Sequence, residues 1–246
     1  MTTPTTIDAQ ATLAAIALAQ PAVITTLERL KLDYCCGGNR RLADACAEKN
    51  LAVETVLSEL KTALGDPAAP RDLSNEPLSV VIAEIVNTHH AYVRAQLPPL
   101  TAMAAKVAGK HGPIHPEQIE VQRIVLALAE DLTNHLAKEE LILFPYIQKL
   151  EQSLKGNGEL PHACFASVSS PISAMEQEHE TAGALLVNLR ALTHDYTLPE
   201  GACNTFTGLY AGLQAFEQDL HLHIHRENNL LFPRAIELEK SVQVEA

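Results

Sequence analysis

Apolar residues recur along the second half of the chain in steps of three and four. Leu128, Leu132, His135, Glu139 and Ile142 step by 4, 3, 4, 3, and Phe216, Leu220, His223, Glu227 and Leu230 keep the same rhythm. This spacing lays side chains along one face of an α-helix, the face that packs inward. In both helices a histidine and a glutamate stand at core positions. Two more stripes carry one histidine each: His90 with Ile82, Val86, Val93 and Leu97, and His179 with Ile172, Met175 and Leu186.

These stripes belong to an internal repeat. The stretch His135-Leu-Ala-Lys-Glu139-Glu-Leu-Ile-Leu-Phe144-Pro145 aligns without a gap on His223-Ile-His-Arg-Glu227-Asn-Asn-Leu-Leu-Phe232-Pro233, 88 positions on (223 − 135 = 88). Upstream, His90 and His179 stand 89 apart (179 − 90 = 89). A helix with one histidine, a loop, and a helix with His-x3-Glu therefore occur twice. Two antiparallel helix hairpins of this kind predict a four-helix bundle.

The first third reads differently. Short helices are predicted over about 8–19, 21–32, 40–48 and 52–64. Pro21 suits a first helical turn, and Asn39 is placed to cap the third helix. Pro and Gly cluster in Gly65-Asp66-Pro67-Ala68-Ala69-Pro70, and Pro77 follows. The expected division is an N-terminal helical domain over 1–66, a linker, and the bundle over 77–246. Trp is absent and aromatics make up only 4% of the chain, while Ala and Leu abound. That composition fits an all-α protein of closely packed helices.

A formal net charge of −12 argues against nucleic acid and anionic membrane as partners. The Ala/Leu run at 11–20 is too short to span a bilayer and lacks a positively charged lead. Five cysteines, with Cys35 and Cys36 adjacent, do not form a disulfide framework, so the expected location is the cytoplasm. The N-terminal helices are too few to bury a full core alone, which suggests a homodimer.

Four histidines and two glutamates facing a bundle core are costly as isolated groups. A lone histidine on an apolar face is ordinarily a hydrogen-bonded core residue, and one His-x3-Glu is ordinarily a surface pair. Two copies in register, each preceded by a histidine at matched distance, point instead to a metal pair. His and Glu at i and i+4 share a helix face, each glutamate can bridge two ions, and the imidazoles complete the two coordination spheres. Mixed imidazole and carboxylate ligands suit iron or manganese better than structural zinc. The repeat selects His90 over His89, and His223 over His221 and His225, which are expected at the surface or behind the ligands. His111, His115, His162 and His194 are expected to be solvated, and Cys46, Cys164 and Cys203 lie in no motif.

The chain resembles a known family. Its C-terminal 170 or so residues look like a hemerythrin-like domain. Leu32-Asp33-Tyr34-Cys35-Cys36-Gly37-Gly38 is similar to the short domain preceding it in the iron–sulfur cluster repair di-iron proteins, the RIC family. Met175-Glu176-Gln177-Glu178-His179-Glu180 and Glu227-Asn228-Asn229-Leu230-Leu231-Phe232-Pro233 match the same family. The resemblance implies two oxo-bridged irons per chain, held by His90, His135, Glu139, His179, His223 and Glu227, the set the repeat selects on its own. It implies repair of iron–sulfur proteins after nitrosative or oxidative stress, by donating iron or by binding or reducing nitric oxide. Oxygen-carrying hemerythrins have a further histidine and an aspartate where this chain has Gly183 and Asn228, which argues against dioxygen carriage. Val93 stands where relatives often have a second histidine. Cys35 and Cys36, ahead of a helix N-terminus and of Arg40 and Arg41, are expected to have depressed thiol pKa values and to serve in iron handover or redox signalling. The alternative function is an NO- or O2-binding, sequestering or sensing protein without turnover.

Overall fold

The computed structural model describes residues 7–67, 69–154 and 165–245. Among these it is all helix, apart from turns and one isolated bridge between Thr12 and Arg41. In chain order the helices are α1 (Leu13–Ala19), α2 (Ile24–Arg29), α3 (Leu42–Glu48), α4 (Val53–Thr62), α5 (Leu78–Glu84), α6 (Ala91–His111), α7 (Glu117–Lys138), α8 (Phe144–Leu154), α9 (Ser169–Leu192), α10 (Asn204–Arg226) and α11 (Phe232–Glu245). Three π-helical turns separate them at Ile85–His90, Glu139–Leu143 and Glu227–Leu231. No described helix is long and apolar enough to cross a membrane.

The chain divides into two compact units, Met1–Val81 with His221–Arg234, and Ile82–Leu220 with Ala235–Ala246. In the first, Thr12 caps α1 by accepting from the Ala15 amide at 3.3 Å. Leu13, Ile16, Leu27, Leu42 and Leu60 are fully buried, and Leu222 packs against this cluster. Pro21 opens a 3-10 turn rather than the α-helix itself. The third helix starts later than expected: its N-cap is Arg41, without a side-chain hydrogen bond, so Asn39 is not the cap. Among the described residues, the predicted linker carries no α-helix between Thr62 and Leu78. The Arg234 guanidinium donates to the Ser74 and Glu76 carbonyls, at 3.3 and 2.8 Å.

The second unit holds the long helices α6, α7 and α9 and the part of α10 up to Leu220. Its core is the predicted stripes: Leu128, Leu132, Ile172, Met175, Leu186, Phe216 and Leu220 are all buried. Polar links tie the helices pairwise. Gln118 donates to Tyr210 at 2.7 Å, Arg190 holds Glu217 at 2.6 Å, and Glu239 accepts from Tyr146 and from the Val168 amide, both at 2.8 Å. One stripe position departs from expectation. Ile142 is 48% exposed, whereas Leu143 and Phe144 are buried. The π turn at 139–143 takes more residues per turn than an α-helix, so the apolar face resumes one position late.

Candidate metal centre

Within the bundle unit, His90, His135, Glu139 and His179 are each at most 3% exposed. Glu139 turns one carboxylate oxygen toward each of two imidazoles: Oε2 lies 3.4 Å from His90 Nε2, and Oε1 lies 3.4 Å from His135 Nε2. His179 Nε2 comes within 3.0 Å of His135 Nε2. The second motif repeats the pairing, with His223 Nε2 3.1 Å from Glu227 Oε1, both buried. In each of two groups the ligand atoms all lie within 4.8 Å of one another: His90, Glu139, His223 and Glu227 form one group, and His135, Glu139, His179 and Glu227 form the other. Each group has its own two histidines, and both glutamates belong to both groups.

The outward ring nitrogens test whether these residues suit a cation. His90 Nδ1 lies 2.7 Å from Glu140, which also takes Arg94 at 2.9 Å. His135 Nδ1 lies 2.9 Å from Glu178, which also takes Lys138 at 2.5 Å. A carboxylate accepts, so each Nδ1 carries the proton and each Nε2 presents a lone pair inward. Burial acts to raise Glu140 and Glu178. Hydrogen bonds and charge from His90 and Arg94, and from Lys138 and His135, outweigh it and hold both below the ordinary carboxylate range. Inward lone pairs beside carboxylate oxygens fit a divalent or trivalent cation. Nitrogen and oxygen donors without thiolate suit iron or manganese. Phe144 stacks on His90 at 5.6 Å and closes that side with carbon.

The backbone explains how each of two helical turns delivers its groups. Phe144 N–H donates to the Glu139 carbonyl and Phe232 N–H to the Glu227 carbonyl, each five residues back. Pro145 and Pro233 follow. A proline ring in a regular helix clashes with the carbonyl four residues earlier and supplies no N–H. Widening that turn to π geometry relieves the clash at Leu141 and Asn229. The third π turn ends at His90. His179 sits in regular helix within α9.

The neighbouring histidines are not surface groups. His89 is 2% exposed and lies 2.9 Å from Asp219, and His225 is 3% exposed and donates to the Tyr34 carbonyl at 3.1 Å. His221 lies 2.9 Å from Glu28, which also accepts from the Tyr34 hydroxyl at 2.9 Å. Burial pushes His225 down to about 4, with the charge of Arg226 adding to the effect and the bond to Tyr34 opposing it. The outer carboxylates Glu140 and Glu178 escaped the sequence reading. The available signal was an acidic residue directly beside a selected one, in Glu139-Glu140 and Glu178-His179. Val93 is buried, so it fills its place with packing. His162 and Cys164 lie outside the described residues.

Cys35 and Cys36 stand in a loop built by Asp33. Its Oδ1 accepts from the Cys35 and Cys36 amides at 3.1 and 3.0 Å, and its Oδ2 from the Gly37 amide at 2.9 Å. Gly38 is required there, since a Cβ would sit 2.6 Å from the Tyr34 carbonyl oxygen. Asn229, two residues after Glu227, donates to the Tyr34 and Cys35 carbonyls at 3.2 Å each. The two sulfurs are 3.9 Å apart and are not joined by a disulfide. The expected depression of the Cys35 pKa is reversed. Its hydrogen bond to Cys36, its burial, and the nearby Cys36 and Asp33 hold it well above the ordinary thiol value. Arg41, not Cys36 or Asn39, stands at the helix N-terminus, which removes the stabilisation the sequence suggested.

A bundle whose repeated His-x3-Glu turns face buried histidines defines a class of cation-binding helical proteins. Residues 81–235 match the family model described as the hemerythrin HHE cation binding domain, and this chain belongs to that family. Residues 9–64 match a domain of unknown function, DUF542. Among curated proteins, the chain is similar to the iron-sulfur cluster repair protein YtfE of Yersinia pseudotuberculosis serotype IB (strain PB1/+). The two are 39% identical over 226 residues, covering 91% of this chain and 96% of the relative. The proteins of the same name from Yersinia pestis strains Pestoides F and Angola match to the same extent.

Proposed function

We propose that this chain is a di-iron protein that repairs iron–sulfur clusters damaged by nitrosative or oxidative stress. The reading is carried by the buried set His90, His135, Glu139, His179, His223 and Glu227, whose ligand atoms fall into two overlapping groups. The naming of relatives 39% identical to it as iron–sulfur cluster repair proteins supports the role. In this reading Glu139 and Glu227 would serve both of two oxo-bridged irons, His90 and His223 would help hold one, and His135 and His179 would help hold the other. Bound ferrous iron would supply open coordination positions and one-electron chemistry.

The chain's own residues orient and shield that site. Glu140 and Glu178 fix the His90 and His135 rings through Nδ1, and Phe144 excludes water beside His90. The residues that work are thus iron ligands and their supports, and the iron is both cofactor and cargo for damaged iron–sulfur proteins. Nitric oxide is the second proposed partner, bound or reduced at the same site. Cys35 and Cys36 are proposed for iron handover, supported by the Asn229 bond that ties their loop to the turn of Glu227. The remaining elements of the reading are an N-terminal domain over 1–66, a bundle over 77–246, a cytoplasmic location and a homodimer. A gel-filtration mass of one chain would contradict the dimer.

The deciding measurement is metal content with Mössbauer spectra, followed by reactivation of an NO-damaged iron–sulfur enzyme. About two irons per chain and recovery of the client are the expected results. Zinc, or no metal with the fold intact, sinks the reading. Nitrous oxide release from the reduced protein under anaerobic NO marks reduction, and retention of NO without gas marks binding alone. Iron transfer that survives Cys35→Ala with Cys36→Ala removes the cysteines from the mechanism.

A further inference from the structure

Among the described cysteines that belong to no motif, Cys203 has the most distinctive surroundings. Cys203 immediately precedes α10, and His111 is the last residue of α6. His111 Nε2 lies 3.2 Å from Cys203 Sγ. Both residues are only half-buried. The backbone N–H groups of Phe206 and Thr205 hydrogen-bond to the sulfur, and the charge of Lys110 also favours the thiolate; together they outweigh desolvation and lower the Cys203 pKa. The Phe206 ring lies 5.2 Å from the His111 ring and supports it from below. An anion at a helix N-terminus and a cation at a helix C-terminus each sit in the favourable dipole field, so the two helix ends act on this pair in the same sense. Neither Cys35, buried beside Asp33, nor Cys46, which burial alone pushes up, has these features.

We propose that Cys203 and His111 form a nucleophilic thiol–imidazole pair that exchanges with small-molecule disulfides and makes Cys203 a site of reversible thiolation. The Cys203 proton passes to His111, and the sulfur attacks one sulfur of the disulfide. The disulfide bond breaks, a mixed disulfide forms on Cys203, and the departing thiolate takes the proton from His111. One thiol and one disulfide give one mixed disulfide and one thiol, with no other oxidant.

The test treats the full-length protein with oxidised glutathione and follows each cysteine by peptide mass mapping, with the urea-unfolded chain as reference. Cys203 in the folded protein is expected to react roughly tenfold faster at neutral pH than in the unfolded chain. His111→Gln should bring the rate down to the unfolded value and move its pH profile upward. A folded-state rate no higher than the unfolded one overturns the proposal. So does a His111→Gln protein with unchanged rate and profile. Should that variant fail to fold, the wild-type profile decides: a midpoint below the ordinary thiol range upholds the pair, and one at or above it overturns it.

Discussion

The two His-x3-Glu turns share sequence, backbone and inward chemistry, yet they differ in what stands behind them. After Glu139 comes Glu140, and His135 leans on Glu178, so the first turn is backed by carboxylates that also hold Arg94 and Lys138. After Glu227 come Asn228 and Asn229, and this turn is backed by the Tyr34 and Cys35 carbonyls. The first turn is held by charge at a half-exposed surface, and the second by neutral hydrogen bonds to a buried loop. A duplicated element can keep its inner face while the outer face is free to change.

The largest test of the comparison removes the inner face itself. Glu139→Ala and Glu227→Ala each delete a residue common to both ligand groups and are expected to abolish binding of both irons. His90→Ala and His179→Ala each touch one group and should leave about one iron per chain. Metal analysis after equal exposure to ferrous iron checks this. Equal losses from all four variants would remove the bridging role of the glutamates.

Acid should separate the two turns. The folded His225 is held near 4, against about 6.5 in an unfolded chain. Its neutral form is the folded form, so its stability contribution is complete above pH 6.5 and is lost as the pH falls toward 4. The full loss is about 3 kcal/mol. Glu140 and Glu178 are depressed, so their contribution persists until the pH falls below the ordinary carboxylate range. Urea midpoints at pH 7.5 and 5 should therefore differ in the wild type and converge in His225→Asn. An unchanged difference in that variant would assign the acid sensitivity elsewhere.

The smallest effects come from the backing groups. Glu178→Ala should weaken metal affinity about tenfold by freeing the His135 ring, with little change in the denaturant midpoint. Asn229→Ala should do the reverse, costing about 1–2 kcal/mol of stability through the Tyr34 and Cys35 carbonyls. Chelator competition and urea melts on the same two proteins read both numbers, and identical behaviour would erase the distinction between the two turns.

The inner face was legible in the sequence because it is duplicated: matched spacing singled out His90, His135, His179 and His223 and both glutamates from local pattern. The outer face was not, since Glu140 aligns with Asn228 and carries no repeat signal. The π turns were hidden for a related reason. Phe-Pro announces the end of a helix as readily as a widened turn, and only Ile142, an apolar residue facing water, betrays the shift. The His225–Tyr34 and Asn229–Cys35 contacts join positions nearly two hundred residues apart, beyond the reach of any periodicity. At Cys35, Arg40 and Arg41 are near in sequence, but the charge that reaches the sulfur is Asp33, whose carboxylate stands 3.2 Å away.

The crowding of four imidazoles and two carboxylates has a consequence for the life of the molecule. A core arranged around cations is suited to the loaded chain, and without them the same groups face one another at low dielectric. On the proposed reading, handing over iron would therefore move the protein toward its less durable form. A spent donor of that kind would be marked by its own weakened fold, so that refilling or proteolysis would be decided by the site itself.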